Sequence, residues 1–149
     1  MKMNLKLFST CLLLGLSNSI FAQDLSGLWQ QIDDKSGAPK AIIEIRKEAN
    51  NTYSGKIIKI TPRVGYTPRE TCNKCPAPYT NQPILGMEVV KGLRYVEETN
   101  SYEHGQIIDP LAGKVYNAKM KLSSTNKRLT MRAYMGVSVL GRSQTWIRL

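Results

Sequence analysis

The chain has 149 residues, with 21 lysines and arginines against 11 aspartates and glutamates, a net charge of +10. That length allows one domain with a core of its own and excludes any need for a dense disulfide or metal framework. The basic residues are scattered singly or in pairs rather than gathered in a run, which reads as a solvated surface and not as a nucleic-acid-binding tail.

The first 22 residues read as a cleaved secretory leader. Lys2 and Lys6 supply a positive start, residues 7–16 a short leucine-rich apolar run, and Ala22 the small residue at which cleavage would leave Gln23 as the new N-terminus. The apolar run is about half of the roughly 20 residues a membrane span requires. No later segment is apolar enough to span, so the expected product is an exported, periplasmic domain of residues 23–149 that does not cross the membrane. Export argues against nucleic acid as a partner and leaves an anionic envelope surface as a candidate for the basic face.

Beyond the leader, what recurs is alternation at period two, broken by turn residues. Residues 27–32 make the first expected strand. Ala41, Ile43 and Ile45 alternate with Glu44 and Arg46; Asn50-Asn51 signals a turn, and residues 53–60 return. Residues 61–83 hold five prolines and both remaining cysteines, a long segment that reads as a lid or binding loop. Strands at 87–96 and 102–108 follow. Then Asp109, Pro110 and Gly113 make a turn, with Asp109 as its cap. The clearest hairpin comes next: Tyr116, Ala118, Met120 and Leu122 share one face, and Leu129, Met131, Ala133 and Met135 mirror them after the turn at 123–127. Residues 143–149 close the series. About eight strands joined mostly by short turns predict an all-β, antiparallel up-and-down barrel, which leaves no exposed sheet edge.

Closure brings the first and last strands together. Gly27 and Trp29 open the first, and Trp146 and Arg148 share a face of the last, so Arg148 is expected to stack on Trp29, with Arg142 as second candidate. This Gly-x-Trp with a closing arginine resembles the signature of lipocalins and other calycins. Further segments match in order: Gly55-Lys56-Ile57, Pro83-Ile84-Leu85-Gly86, Gly105 to Pro110, Gly113 to Tyr116, and Gly141-Arg142 through Trp146. The series is similar to the exported bacterial domain-of-unknown-function family DUF 2147 over nearly the whole chain after the leader. That resemblance implies a lipocalin-like barrel and implies no particular activity.

Templates for catalysis are lacking. His104 is the single histidine, the serines have no Gly-x-Ser-x-Gly setting, and no glycine-rich phosphate loop is present, so neither an enzyme nor a cofactor is expected. After cleavage Cys72 and Cys75 have only His104 to join them, too few ligands for zinc. In an oxidising compartment they are expected to form a disulfide with a structural role; a redox pair is the alternative, disfavoured because Pro76 and Pro78 work against the helix that redox Cys-x-x-Cys pairs open. The remaining chemistry is apolar. Tyr116, Met120, Leu129, Met131 and Met135 are expected to face the barrel interior, and methionine suits adaptable binding surfaces. A barrel of this size is either filled by its side chains or holds one small ligand. The expected function is binding of a small apolar or amphipathic molecule. The alternative is a filled structural or envelope-interaction module.

Overall fold

The computed structural model describes residues 23–137 and 140–149; the expected leader, residues 1–22, lies outside them. The described residues form eight strands: β1 (Gly27–Ile32), β2 (Pro39–Lys47), β3 (Tyr53–Ile60), β4 (Glu88–Val96), β5 (Ser101–Asp109), β6 (Lys114–Leu122), β7 (Arg128–Tyr134) and β8 (Gly141–Arg148). Each pairs antiparallel with the next, and β8 returns to β1 through Trp29 opposite Arg148 and Gln31 opposite Trp146. The sheet is therefore the closed up-and-down barrel expected from the alternation. The expected strands agree with those observed to within two residues at either end.

One end of the barrel is made by the β2–β3, β4–β5 and β6–β7 turns. In each an asparagine (Asn51, Asn100, Asn126) takes a positive φ, a conformation its short polar side chain tolerates. Residues 23–26 cross this end and cap it. Leu25 is fully buried and its carbonyl accepts a hydrogen bond from the Trp29 indole N–H at 2.9 Å. The Tyr102 hydroxyl donates to the Gln23 carbonyl, and the Tyr102 ring meets Tyr53 edge-on at 5.1 Å.

The other end is made by the β1–β2, β5–β6 and β7–β8 connections and by residues 61–87. That long segment has no strand of its own but is tied down by backbone hydrogen bonds. Cys72 N–H donates to the Gln82 carbonyl at 2.9 Å, Asn81 N–H to the Cys72 carbonyl at 2.9 Å, and Gly86 N–H to Ile57 of β3 at 2.7 Å. Cys72 and Cys75 are joined as a disulfide and are buried together with Ile84 and Met87. Alternation therefore fixes which side chains point inward, and the two dissimilar ends decide what the inside holds. At the capped end Trp29, Trp146, Tyr102, Leu93, Met120 and Leu129 are buried in the barrel interior and form its core.

Candidate functional site

At the open end the interior is hollow. A cavity of about 440 Å³ lies there, within the roughly 300–1,000 Å³ typical of small-molecule sites. Its walls are apolar: Ala41 of β2, Ile57 of β3, Ile107 of β5 and Met131 and Ala133 of β7, with Ile84 contributed by the long loop. Tyr116 of β6 adds an aromatic face. Polar side chains interrupt this wall, among them a bonded pair of glutamines. Gln31 of β1 donates its Nε2–H to Oε1 of Gln144 of β8 at 2.9 Å, and both line the cavity.

The mouth is basic. Lys40, Arg63, Arg69 and Arg142 line it. Asp34 takes Arg142 in a two-pronged pair, with Nη2 at 2.8 Å and Nε at 3.0 Å. Asp33 faces Arg63 at 3.4 Å and Lys40 at 4.0 Å. Its carboxyl is held down to about 2, first by the Ser36 amide and hydroxyl and then by the Lys35 amide and the Lys40 charge. Arg69 has no carboxylate within 4 Å among the described residues; its Nη1 lies 3.5 Å from the Leu111 carbonyl. Three of the four cations are therefore paired with Asp33 or Asp34, while Arg69 is paired with neither.

The cysteine loop shapes this entrance by docking on the β5–β6 turn. Cys72 Sγ sits 3.2 Å from the Pro110 carbonyl. Gly113 has φ +67°, and a Cβ there would stand 2.2 Å from the Lys74 carbonyl oxygen, so only glycine permits so close an approach. Asp109 caps the turn as expected, its Oδ1 accepting from the Leu111 and Ala112 amides at 2.9 and 3.1 Å, and it also lines the mouth.

The structure divides the five side chains expected on the ligand wall. Tyr116 and Met131 line the cavity. Met120 and Leu129 point inward but do not line it, because they sit among the side chains that fill the capped half. Met135 falls just beyond β7 and also lines the cavity, although it is 62% exposed. The expected contact at the closure is present: the Arg148 guanidinium lies 4.2 Å from the centre of the Trp29 ring. Gly27, at φ +135°, leaves the space that Arg148 Nη1 occupies, 2.7 Å from where a Cβ would be. Trp146 is buried beside this pair, with its indole N–H unpartnered. Arg142 is corrected: it stands at the opposite end, paired with Asp34, and takes no part in capping.

Sequence reasoning did not single out Gln31, Gln144 or the mouth cations Lys40, Arg63 and Arg69, and it gave Arg142 a different role. A signal for the two glutamines is present. Each lies two residues from an inward tryptophan, and parity alone turns both inside. Among the described residues no helix is long and apolar enough to cross a membrane, and no group of three or more His, Cys, Asp or Glu is placed to hold a metal.

The chain resembles Protein HP1028 from Helicobacter pylori, described as belonging to the lipocalin family, with a TM-score of 0.69 and 23% identity. The match covers 85% of this chain and 83% of that one, and it shows the fold alone. None of the curated proteins matches. The profile of the family described as "Uncharacterized protein conserved in bacteria (DUF2147)" matches residues 27–148, the whole barrel from Gly27 to Arg148, and the chain belongs to that family.

Proposed function

We propose that this protein is an exported, non-catalytic carrier or receptor that holds one small amphipathic molecule in the open half of its barrel. The observation that carries the reading is the cavity of about 440 Å³, apolar along its walls and basic at its mouth. Apolar burial supplies affinity, roughly 25 cal/mol per Å² removed from water, while the cations orient an anionic or polar end toward solvent. Three further points support it. The buried disulfide suits an oxidising compartment, in keeping with the leader. His104 is exposed on β5, away from the cavity, so the walls lack the residue most often used as a general base. And a wholly filled barrel, as the structural-module alternative requires, accounts for only the capped half.

The test is titration with a fluorescent fatty-acid analogue. Saturable uptake at one site is expected, weakened at least about tenfold by Met131→Trp, which fills the cavity, and unaffected by Lys121→Gln on the outer face. Absence of uptake by the wild-type protein overturns the reading.

A further inference from the structure

The cavity wall carries a polar pair that a purely hydrocarbon ligand would leave unsatisfied. Gln31 and Gln144 meet diagonally across the β1–β8 seam, one amide bonded to the other at 2.9 Å. Two carboxamides together offer four N–H donors and two carbonyl acceptors, and this bond uses only one of each. No other hydrogen bond to the Gln31 carboxamide oxygen or the Gln144 amide nitrogen occurs among the described residues. Exchanging oxygen and nitrogen on both side chains reverses the direction of the bond and still leaves a free donor beside a free acceptor.

Their depth is set by the register. Gln31 lies two residues beyond Trp29 on β1, and Gln144 two before Trp146 on β8. Trp29 and Trp146 belong to the filled half and are fully buried. Arg142, at the mouth, is two residues further along β8 from Gln144. At about 3.3 Å per residue, Gln144 sits about 7 Å below Arg142, and Gln31, opposite Trp146, sits about 7 Å deeper, on top of the packed core. Ala41 of β2 stands opposite Gln31 and Met131 of β7 opposite Gln144, and Ile57 of β3 and Ile107 of β5 line the same cavity.

We propose that Gln31 and Gln144 form a hydrogen-bonding subsite that selects ligands with a neutral donor–acceptor group, a hydroxyl or a carboxamide, within their apolar body. This deepens the binding reading above and rests on it. A hydroxyl placed there accepts from one glutamine amide and donates to the other glutamine's carbonyl. An unsubstituted alkyl chain pressed on the same spot desolvates both groups and returns nothing. The subsite therefore discriminates chiefly against plain acyl chains, as sites built to hydrogen-bond a hydroxyl do.

Isothermal titration calorimetry with decanoic acid and the series of its monohydroxylated positional isomers tests this. In the wild-type protein one isomer, whose hydroxyl reaches the pair, is expected to bind at least tenfold tighter than decanoic acid, equivalent to about 1.4 kcal/mol. In Gln144→Met, and in the double variant Gln31→Leu/Gln144→Leu, that preference falls to within twofold and decanoic acid itself binds more tightly. Circular dichroism confirms that each variant is folded, and the single substitution keeps the test open if the double variant is not. Binding of all isomers within twofold of decanoic acid by the wild type, or a preference that survives both variants, overturns the subsite while leaving the cavity's role intact. Binding of none of them overturns the cavity's role, and the subsite falls with it.

Discussion

Arg148 closes the capped end of the barrel on Trp29: its guanidinium lies 4.2 Å from the ring centre and donates to the carbonyls of Asp24, Ser26 and Asn126 at 2.7–2.8 Å. One side chain thus ties together the segment that crosses the barrel end, the first strand and the β6–β7 turn. Replacing the fully buried Trp29 with alanine is expected to cost about 3–5 kcal/mol, from lost burial and the cavity left behind. Arg148→Lys keeps a cation near the ring but lacks the planar fork that serves three carbonyls, and is expected to cost about 1–3 kcal/mol. Urea unfolding measures both; an Arg148→Lys protein as stable as the wild type would show that the carbonyl bonds contribute nothing.

Gly113→Ala probes the opposite end. The substitution forces a Cβ against the Lys74 carbonyl at 2.2 Å and places alanine at φ +67°. The left-handed conformation alone costs about 1–2 kcal/mol, and the clash must add to it by pushing the cysteine loop off the β5–β6 turn. Amide hydrogen exchange should speed up across residues 70–75 and 109–113 while the strands of the capped half stay protected. Unchanged exchange in the loop would mean that this contact does not hold it.

The disulfide is expected to resist reduction. Cys72 is 1% and Cys75 5% exposed, so a reducing thiolate must open the loop before it can reach either sulfur. The predicted reduction potential is below about −300 mV, the range of structural bridges, and a value between about −270 and −120 mV would assign it to redox chemistry. The loop it closes holds two residues, so removing the bridge with Cys72→Ser/Cys75→Ser should cost less than the roughly 3 kcal/mol of a 15-residue loop.

Acid should weaken the fold partly through Glu103. Its carboxyl is held down to about 2, first by the Ser101 hydroxyl at 2.5 Å, then by the Thr99 hydroxyl at 2.7 Å and the Lys119 ammonium at 2.9 Å. A carboxyl depressed in the folded state stabilises it above the ordinary value of 4.5 and loses that contribution as pH falls toward 2. Urea midpoints measured from pH 6 to pH 2.5 should therefore drop, and drop less steeply in Glu103→Gln. Parallel curves for the two proteins would contradict the assignment.

Much of this was legible in the residues. Period-two alternation from Ala41 to Ile45 and from Tyr116 to Leu122 gives strands with a definite inner face, and Gly27, Trp29 and Arg148 mark where the sheet closes on itself. Parity, however, reports inside against outside and is blind to depth. Met120 and Met131 share an inward parity and even face each other across β6 and β7, yet one is core and the other cavity wall. What separates them is packing from β1, β4 and β5, distant in sequence. Arg142 shares the parity of Arg148, but six residues of strand carry it about 20 Å to the other end of the barrel. The mouth cations Arg63 and Arg69 sit on a loop shaped by the disulfide and by long-range backbone bonds, which no local pattern encodes.

The same contrast between Met120 and Met131 supplies the most direct test of a barrel that is packed at one end and receptive at the other. The methionine methyl groups can be labelled with carbon-13 and followed by NMR as decanoic acid is added. The Met131 resonance is expected to shift saturably, with a smaller movement at Met135 on the rim, while Met120, fully buried outside the cavity, stays in place. A titration that leaves Met131 unmoved, or that moves Met120 as far, would contradict the account.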